Sequence, residues 1–271
     1  DELFPGHTFP DTFTGRIMGH CEGNPFFFLE LVRHLWEEGG IVEDEGNFAL
    51  VGQSLTMPAT IEDIALSRLS NLGPGALKMA EYSSCIGRSF DREVAMSIDD
   101  LTEPGESIEC LVEAGFLLSG NGSMEFSHAI YHEVIYSGLS GRWKAAYHKR
   151  LGEFYEGAYD TNEAVYQLAR HFSLTREHDR AFRYCVLAGE KAEASFAAEL
   201  ALEFYQEAGR HITELRDPQI KEMAERTLLV RLGDLYKFTG QIAEALDIYA
   251  KALEKETVAR PKAQIFRKIA E

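Results

Sequence analysis

The segment Leu229-Val230-Arg231-Leu232-Gly233-Asp234-Leu235-Tyr236-Lys237-Phe238-Thr239-Gly240-Gln241-Ile242-Ala243-Glu244-Ala245-Leu246-Asp247-Ile248-Tyr249-Ala250-Lys251-Ala252 reads as two helices and a turn. Leu229, Leu232 and Tyr236 recur at helical spacing, Gly240 interrupts the run, and Ala245, Tyr249 and Ala252 resume it. Small residues at Gly233 and Ala245 let two antiparallel helices approach closely, while the aromatic rings fill the space between neighbouring pairs. A chain built on such units is mainly α, and from Trp143 to the end the sequence keeps a helical period.

These positions resemble the tetratricopeptide pattern, with Leu229 where that pattern has Trp. Partial copies stand upstream, at Leu168-Ala169, Phe172, Ala181 and Ala188, then at Ala201, Tyr205 and Ala208. Ala181 and Ala201 are 20 positions apart, against a period of about 34. The helix between them is therefore expected to serve two pairs, making the array irregular at its start. Residues 143–271 are read as this tetratricopeptide-like α–α superhelix. Its inner groove is the expected contact for a protein or small-molecule ligand. A last helix from Lys262 to Ala270 looks too short to close the array, so further repeats and self-association are expected.

Two further zones precede the repeats. In residues 1–57, Asn24 and Pro25 open a helix as cap and first helical residue. An apolar stripe of Leu29, Leu31, Val32, Leu35 and Trp36 follows and stops at Gly39-Gly40. A hairpin is expected after it, with Ile41-Val42 paired to Phe48–Val51 around a turn from Asp44 to Asn47. In residues 58–142, short helices run through Ile61–Leu72, Ala76–Ile86, Asp91–Ile98 and Ile108–Phe116. A hairpin then turns at Gly120-Asn121-Gly122. Helices followed by such a hairpin give the order of a winged helix.

Composition narrows the function. The 271 residues carry a net charge of −17, with 45% hydrophobic and 26% charged residues. So acidic a chain repels polyphosphates and anionic lipid, making nucleic acid and membrane poor partners. Between Arg92 and Arg142 there is no Lys or Arg, while Glu106, Glu109 and Glu113 occupy the helix that would enter a DNA groove. Without cations to neutralise phosphates, that module is not expected to bind DNA. Cys21, Cys85, Cys110 and Cys185 form no CxxC, which suits a reducing cytoplasm. No apolar run is long enough to span a membrane. The opening Asp1-Glu2-Leu3 lacks an initiator Met, as expected of a piece of a longer chain.

The sequence holds no G-x-x-x-x-G-K-[ST], no G-x-S-x-G and no strand-led G-x-G-x-x-G. His128 and His132 form an i, i+4 pair, but Ala129 stands where a zinc protease has Glu, and spacing fixes no third ligand. No metal and no catalytic residue is expected, and the chain by itself is not expected to be an enzyme.

Six segments, taken in order, resemble the C-terminal part of a STAND-type signal-transduction ATPase, a relative of AAA+ proteins. They are Cys21–Phe27 with Glu30-Leu31, Met57–Asp63 with Ser67-Arg68-Leu69, Ile86–Asp91, Leu111–Leu117, Phe126–Ala129 and Ala188–Ala192. The family includes bacterial regulators and ATPases associated with class III adenylate or guanylate cyclases. The resemblance implies a helical lid (1–57), a winged helix (58–142) and a repeat sensor, all following a P-loop domain. It further implies that Gly23-Asn24-Pro25 is the lid motif whose proline packs on adenine, and that His128 meets the β-phosphate of ADP. Ala129 departs from the aspartate that often follows that histidine. No cofactor is expected for these residues alone, and ADP or ATP is expected once the upstream P-loop domain is present. The alternatives are a free-standing repeat adaptor and a winged-helix transcription factor.

Overall fold

The computed structural model describes residues 9–21, 23–44, 47–51, 58–256 and 258–270. Asp1-Glu2-Leu3, Glu22, the turn residues Glu45 and Gly46, and Met57 lie outside the described residues. The chain is mainly helical with small β-hairpins and divides into two compact units, Asp1–Leu139 and Ser140–Glu271. The stretches read as lid and as winged helix thus belong to one unit.

The first unit opens with α1 (Asp11–His20) and α2 (Pro25–Glu37). Asn24 starts α2 by accepting from the amides of Phe26 and Phe27 at 3.0 and 3.2 Å, and Pro25 takes the first helical position, where no amide is needed. Leu31, Val32 and Leu35 are buried as the stripe predicts. Leu29 and Trp36 are not: they are 46% and 43% exposed, because the buried face is rotated towards Glu30 and His34. Gly39, at φ +71°, ends the helix in a conformation few side chains adopt. The antiparallel pair β1 (Ile41–Asp44) and β2 (Asn47–Leu50) follows, in register from Ile41 opposite Leu50 to Asp44 opposite Asn47. Phe13, Ile17, Leu31, Leu35, Ile41 and Phe48 share a core with Ile64.

Next comes α3 (Ile61–Asn71), opened by a capping box in which Thr60 and Asp63 each accept from the other's amide. Gly73-Pro74 separates it from α4 (Pro74–Ile86), the most enclosed helix of this unit, with Met79, Ala80, Tyr82 and Cys85 fully buried. The third predicted helix is shorter than expected. Asp91 belongs to a strand, β3 (Ser89–Asp91), and α5 covers only Arg92–Met96. After α6 (Pro104–Glu113) come β4 (Leu117–Ser119) and β5 (Ser123–Phe126), closed through Gly122 at φ +83°. The three strands form an antiparallel sheet in the order β3-β5-β4, and α7 (Ala129–Gly138) ends the unit.

The second unit is helical throughout its described residues. It comprises α8 (Gly141–Ala158), α9 (Thr161–Ser173), α10 (His178–Ala194), α11 (Ala198–Ile212), α12 (Pro218–Phe238), α13 (Ile242–Lys255) and α14 (Ala259–Ala270). Ser140 caps α8 through the amide of Trp143, so the helical region begins slightly before Trp143. One packing device recurs three times. A methyl group added at Gly152, Gly189 or Gly233 would lie 2.7, 2.4 or 2.5 Å from the ring of Phe172, Tyr205 or Tyr249. Each glycine thus admits an aromatic ring of the next helix, joining α8 to α9, α10 to α11 and α12 to α13. Ala181 lies on α10 and Ala201 on α11, and α10 packs against both α9 and α11. The final helix starts at Ala259, earlier than Lys262.

Candidate functional site

A cleft of about 910 Å³ lies within the first unit. Its walls come from α2 (Phe26, Leu29, Arg33, Trp36), from Arg68 on α3, from the turn Glu113-Ala114-Gly115 after α6, and from Ser127, His128 and Tyr131. Segments far apart in the chain meet here. The exposure of Leu29 and Trp36, unexpected for a simple core stripe, follows from their place on its wall.

The floor is a buried polar cluster. Arg68 donates to Glu30, to Glu37 Oε2 at 2.9 Å, to Tyr131 Oη at 3.2 Å and to the Ala114 carbonyl at 2.9 Å. Tyr131 also donates its hydroxyl proton to Glu30. The Arg68 guanidinium lies 5.2 Å from the ring centre of Phe116. Burial opposes the positive charge of Arg68, but its bond to Glu37 and the charge of Glu30 more than offset this and hold its pKa above the ordinary value. Burial first, then the bond to Glu30, pushes the Tyr131 phenol far above its usual range. The cluster is thus an ion pair with a neutral phenol, and it ties α2, α3, α7 and the turn after α6 together. The same turn is held from its other side by Ser127 Oγ, which donates to the Gly115 carbonyl at 2.6 Å.

His128 lies exposed on the wall of this cleft, and Gly23, Asn24 and Pro25, exposed as well, precede the wall residue Phe26 and do not line the cleft themselves. Gly23 takes φ +79°, letting the chain turn into the cap, and the Asn24 oxygen is engaged by the two amides of α2. His128 caps α7 with its backbone only. Its ring stacks face to face on Phe26, 3.6 Å between centres and 8° between planes. Phe26 in turn sets its ring edgewise to Tyr131 at 5.7 Å. The first turn of α2 and His128 are therefore brought together through Phe26. His132 does not join His128, since its Nε2 lies 3.0 Å from the Ser84 carbonyl oxygen. Among the described residues no group of three metal-ligating side chains is assembled.

Sequence reading missed both Phe26 and the cluster beneath it. A signal for the cluster existed: Arg68 sits between Ile64-Ala65 and Leu69 on the buried side of α3, where an unpaired charge is not tolerated. Nothing comparable marked Phe26, which reads as one of three consecutive phenylalanines. What the site offers a guest is the stacked pair of Phe26 and His128 beside a recess lined by Arg33 and Arg68 and by Glu30, Glu37 and Glu113. No protein-family model, curated protein or solved structure was found to match this chain, so the reading of the cleft rests on its own residues.

Proposed function

We propose that this chain is the lid, winged helix and repeat portion of a nucleotide-dependent signalling switch of the STAND kind. In this reading Gly23, Asn24, Pro25 and His128 border one edge of a bound adenine nucleotide. An upstream P-loop domain grips the phosphates, and the repeats receive a protein or small-molecule signal in the cytoplasm. The observation that carries the reading is the stacking of Phe26, the residue after Pro25, on His128, since the resemblance assigns both segments to the same nucleotide. The residues suit that guest as one wall of a site: Pro25 presents an exposed apolar ring and His128 an imidazole edge. Phosphate needs further donors, which a P-loop supplies. Duplex DNA is a poor partner, since α6 carries Glu106, Glu109 and Glu113, and Glu109 holds Arg92 at 2.7 Å.

The test uses the intact parent protein. ADP released on denaturation should fall in Pro25→Ala and in His128→Ala, and basal output should rise in the second as the ADP-bound closed state loses weight. Wild-type nucleotide content in both variants would refute the assignment. Residues 1–271 alone should give no calorimetric signal with micromolar ADP or ATP. A second reading, a free-standing repeat adaptor, draws on the independent core of the second unit. A G-x-x-x-x-G-K-[ST] upstream in the same polypeptide would decide for the first.

A further inference from the structure

The backbone of His128 is fixed as the cap of α7, where its carbonyl accepts from the Tyr131 amide at 3.1 Å. Its ring is held differently. Among the described residues neither ring nitrogen of His128 has a hydrogen-bond partner, and the side chain makes no cap bond of its own. His20, His132, His148 and His171 differ, since each has a ring nitrogen within 3.0 Å of another protein group. What the His128 ring has instead is the face of Phe26, with centres 3.6 Å apart and planes 8° from parallel. An imidazole gripped by its face keeps both edge nitrogens for a guest, one donating and one accepting when the ring is neutral.

Phe26 is itself fixed from two sides. Its amide donates to Asn24 Oδ1 at 3.0 Å, which sets the first turn of α2. Its ring meets Tyr131 edgewise at 5.7 Å and 71°, and Tyr131 is bound to the buried Glu30, which Arg68 also holds. A line of contacts thus runs from the buried ion pair through Tyr131 and Phe26 to an exposed imidazole. Stacking of this kind fixes the plane of a ring and leaves its edges open. We propose that Phe26 is the positioning residue of His128: it sets the plane of the imidazole so that a ring N–H is presented to a phosphate oxygen of the bound nucleotide. Phe26 acts through His128 and not on the nucleotide. The proposal rests on the nucleotide reading given above, and it adds a residue to which the resemblance assigns no role.

Two measurements test it. In the 271-residue protein, nuclear Overhauser contacts should link the His128 ring protons to the Phe26 ring, and those protons should lie upfield, shielded by the ring face. In the intact parent protein, release of the fluorescent probe methylanthraniloyl-ADP should quicken roughly three- to tenfold in Phe26→Leu, the range that an aromatic pair is worth. Phe26→Tyr keeps the ring and should restore slow release. Added to His128→Ala, Phe26→Leu should change nothing further, because its effect passes through the imidazole. Losses that simply add would leave Phe26 a packing role and overturn the proposal. Wild-type release in Phe26→Leu, where His128→Ala is fast, would overturn it too. Wild-type release in His128→Ala itself would refute the nucleotide reading, and this proposal with it. The ring contacts are read in the wild type, so their absence overturns the proposal without any variant, and Phe26→Met serves in the release assay if Phe26→Leu does not fold.

Discussion

Arg68 makes four hydrogen bonds while almost wholly buried, and its removal would leave the buried Glu30 only the half-exposed Arg33, at 3.7 Å, as counter-charge. Breaking one partner out of a buried pair costs about 3–5 kcal/mol. Arg68→Ala should therefore lower the urea stability of the first unit by that order. Tyr131→Phe removes one donor from Glu30 while Arg68 remains, and should cost about 1–3 kcal/mol. Equal and small effects of the two changes would mean that water supports the cluster. A second residue stores strain in the open. Phe196 is 88% exposed and holds φ +59°, in a turn whose amide pattern matches that around Gly240. Seven positions separate Gly189 from Phe196, as they do Gly233 from Gly240. The left-handed region costs a side chain roughly 1–2 kcal/mol that glycine does not incur. Part of that gain is offset by the greater freedom of an unfolded glycine. Phe196→Gly should thus raise the midpoint of denaturant unfolding slightly, and a lower midpoint would show that the ring makes a contact in solution.

At the scale of elements, the close approach of helix pairs can be tested directly. At Gly189 and Gly233 the added methyl meets the body of a tyrosine ring, and Tyr205 and Tyr249 are anchored at the far end by Glu193 and Asp234, each at 2.6 Å. The rings cannot simply swing aside, so Gly189→Val and Gly233→Val should each cost about 1–3 kcal/mol by overpacking. Thermal unfolding followed by circular dichroism reads this, and a neutral result would mean that the helices separate freely. These elements were legible where chemistry is local. Gly120-Asn121-Gly122 announced a hairpin, Asn24-Pro25 a helix start, and Gly233 with Ala245 a close pair, although the ring of Tyr249, expected between neighbouring pairs, packs on Gly233 within one. Strand β3 was not, because three residues carry too little alternation to be seen, and its pairing with β5 is settled only by the fold. The exposed sides of Leu29 and Trp36 were misread for a related reason: periodicity marks an apolar stripe but not which part of it faces a cleft. Of the site, the cap and the histidine could be named in advance. Their joining through Phe26 could not, since a ring stack across the chain leaves no spacing to read.

For the whole molecule, the two units carry separate reporters, because the chain has two tryptophans, Trp36 in the first unit and Trp143 in the second. The second unit holds a buried histidine pair, with His148 Nδ1 and His171 Nδ1 3.0 Å apart, one donating to the other. Burial, and then the charge of Arg170, pulls the pKa of His148 down to about 4, and burial with the neighbouring His148 takes His171 lower still. The folded state thus resists protons that the unfolded chain accepts below about pH 6.5. The stability from this pair is complete above that pH and is lost as the pH falls towards 4. Urea unfolding followed through Trp143 in a Trp36→Phe background should shift to lower urea between pH 7 and pH 5. Trp36, read in Trp143→Phe, should shift less. An equal shift at both tryptophans, or none in either, would count against the histidine pair as the acid-sensitive point.

The glycine and aromatic contacts of the second unit have a consequence of another kind. Each pair of helices carries both halves of its own fastening, so no pair depends on a distant one for its fit. Stability in such an array is close to a sum of each unit and its neighbours. A gene encoding it can therefore lengthen or shorten by whole helix pairs, through duplication or loss, while every remaining pair keeps its own contact of glycine and ring.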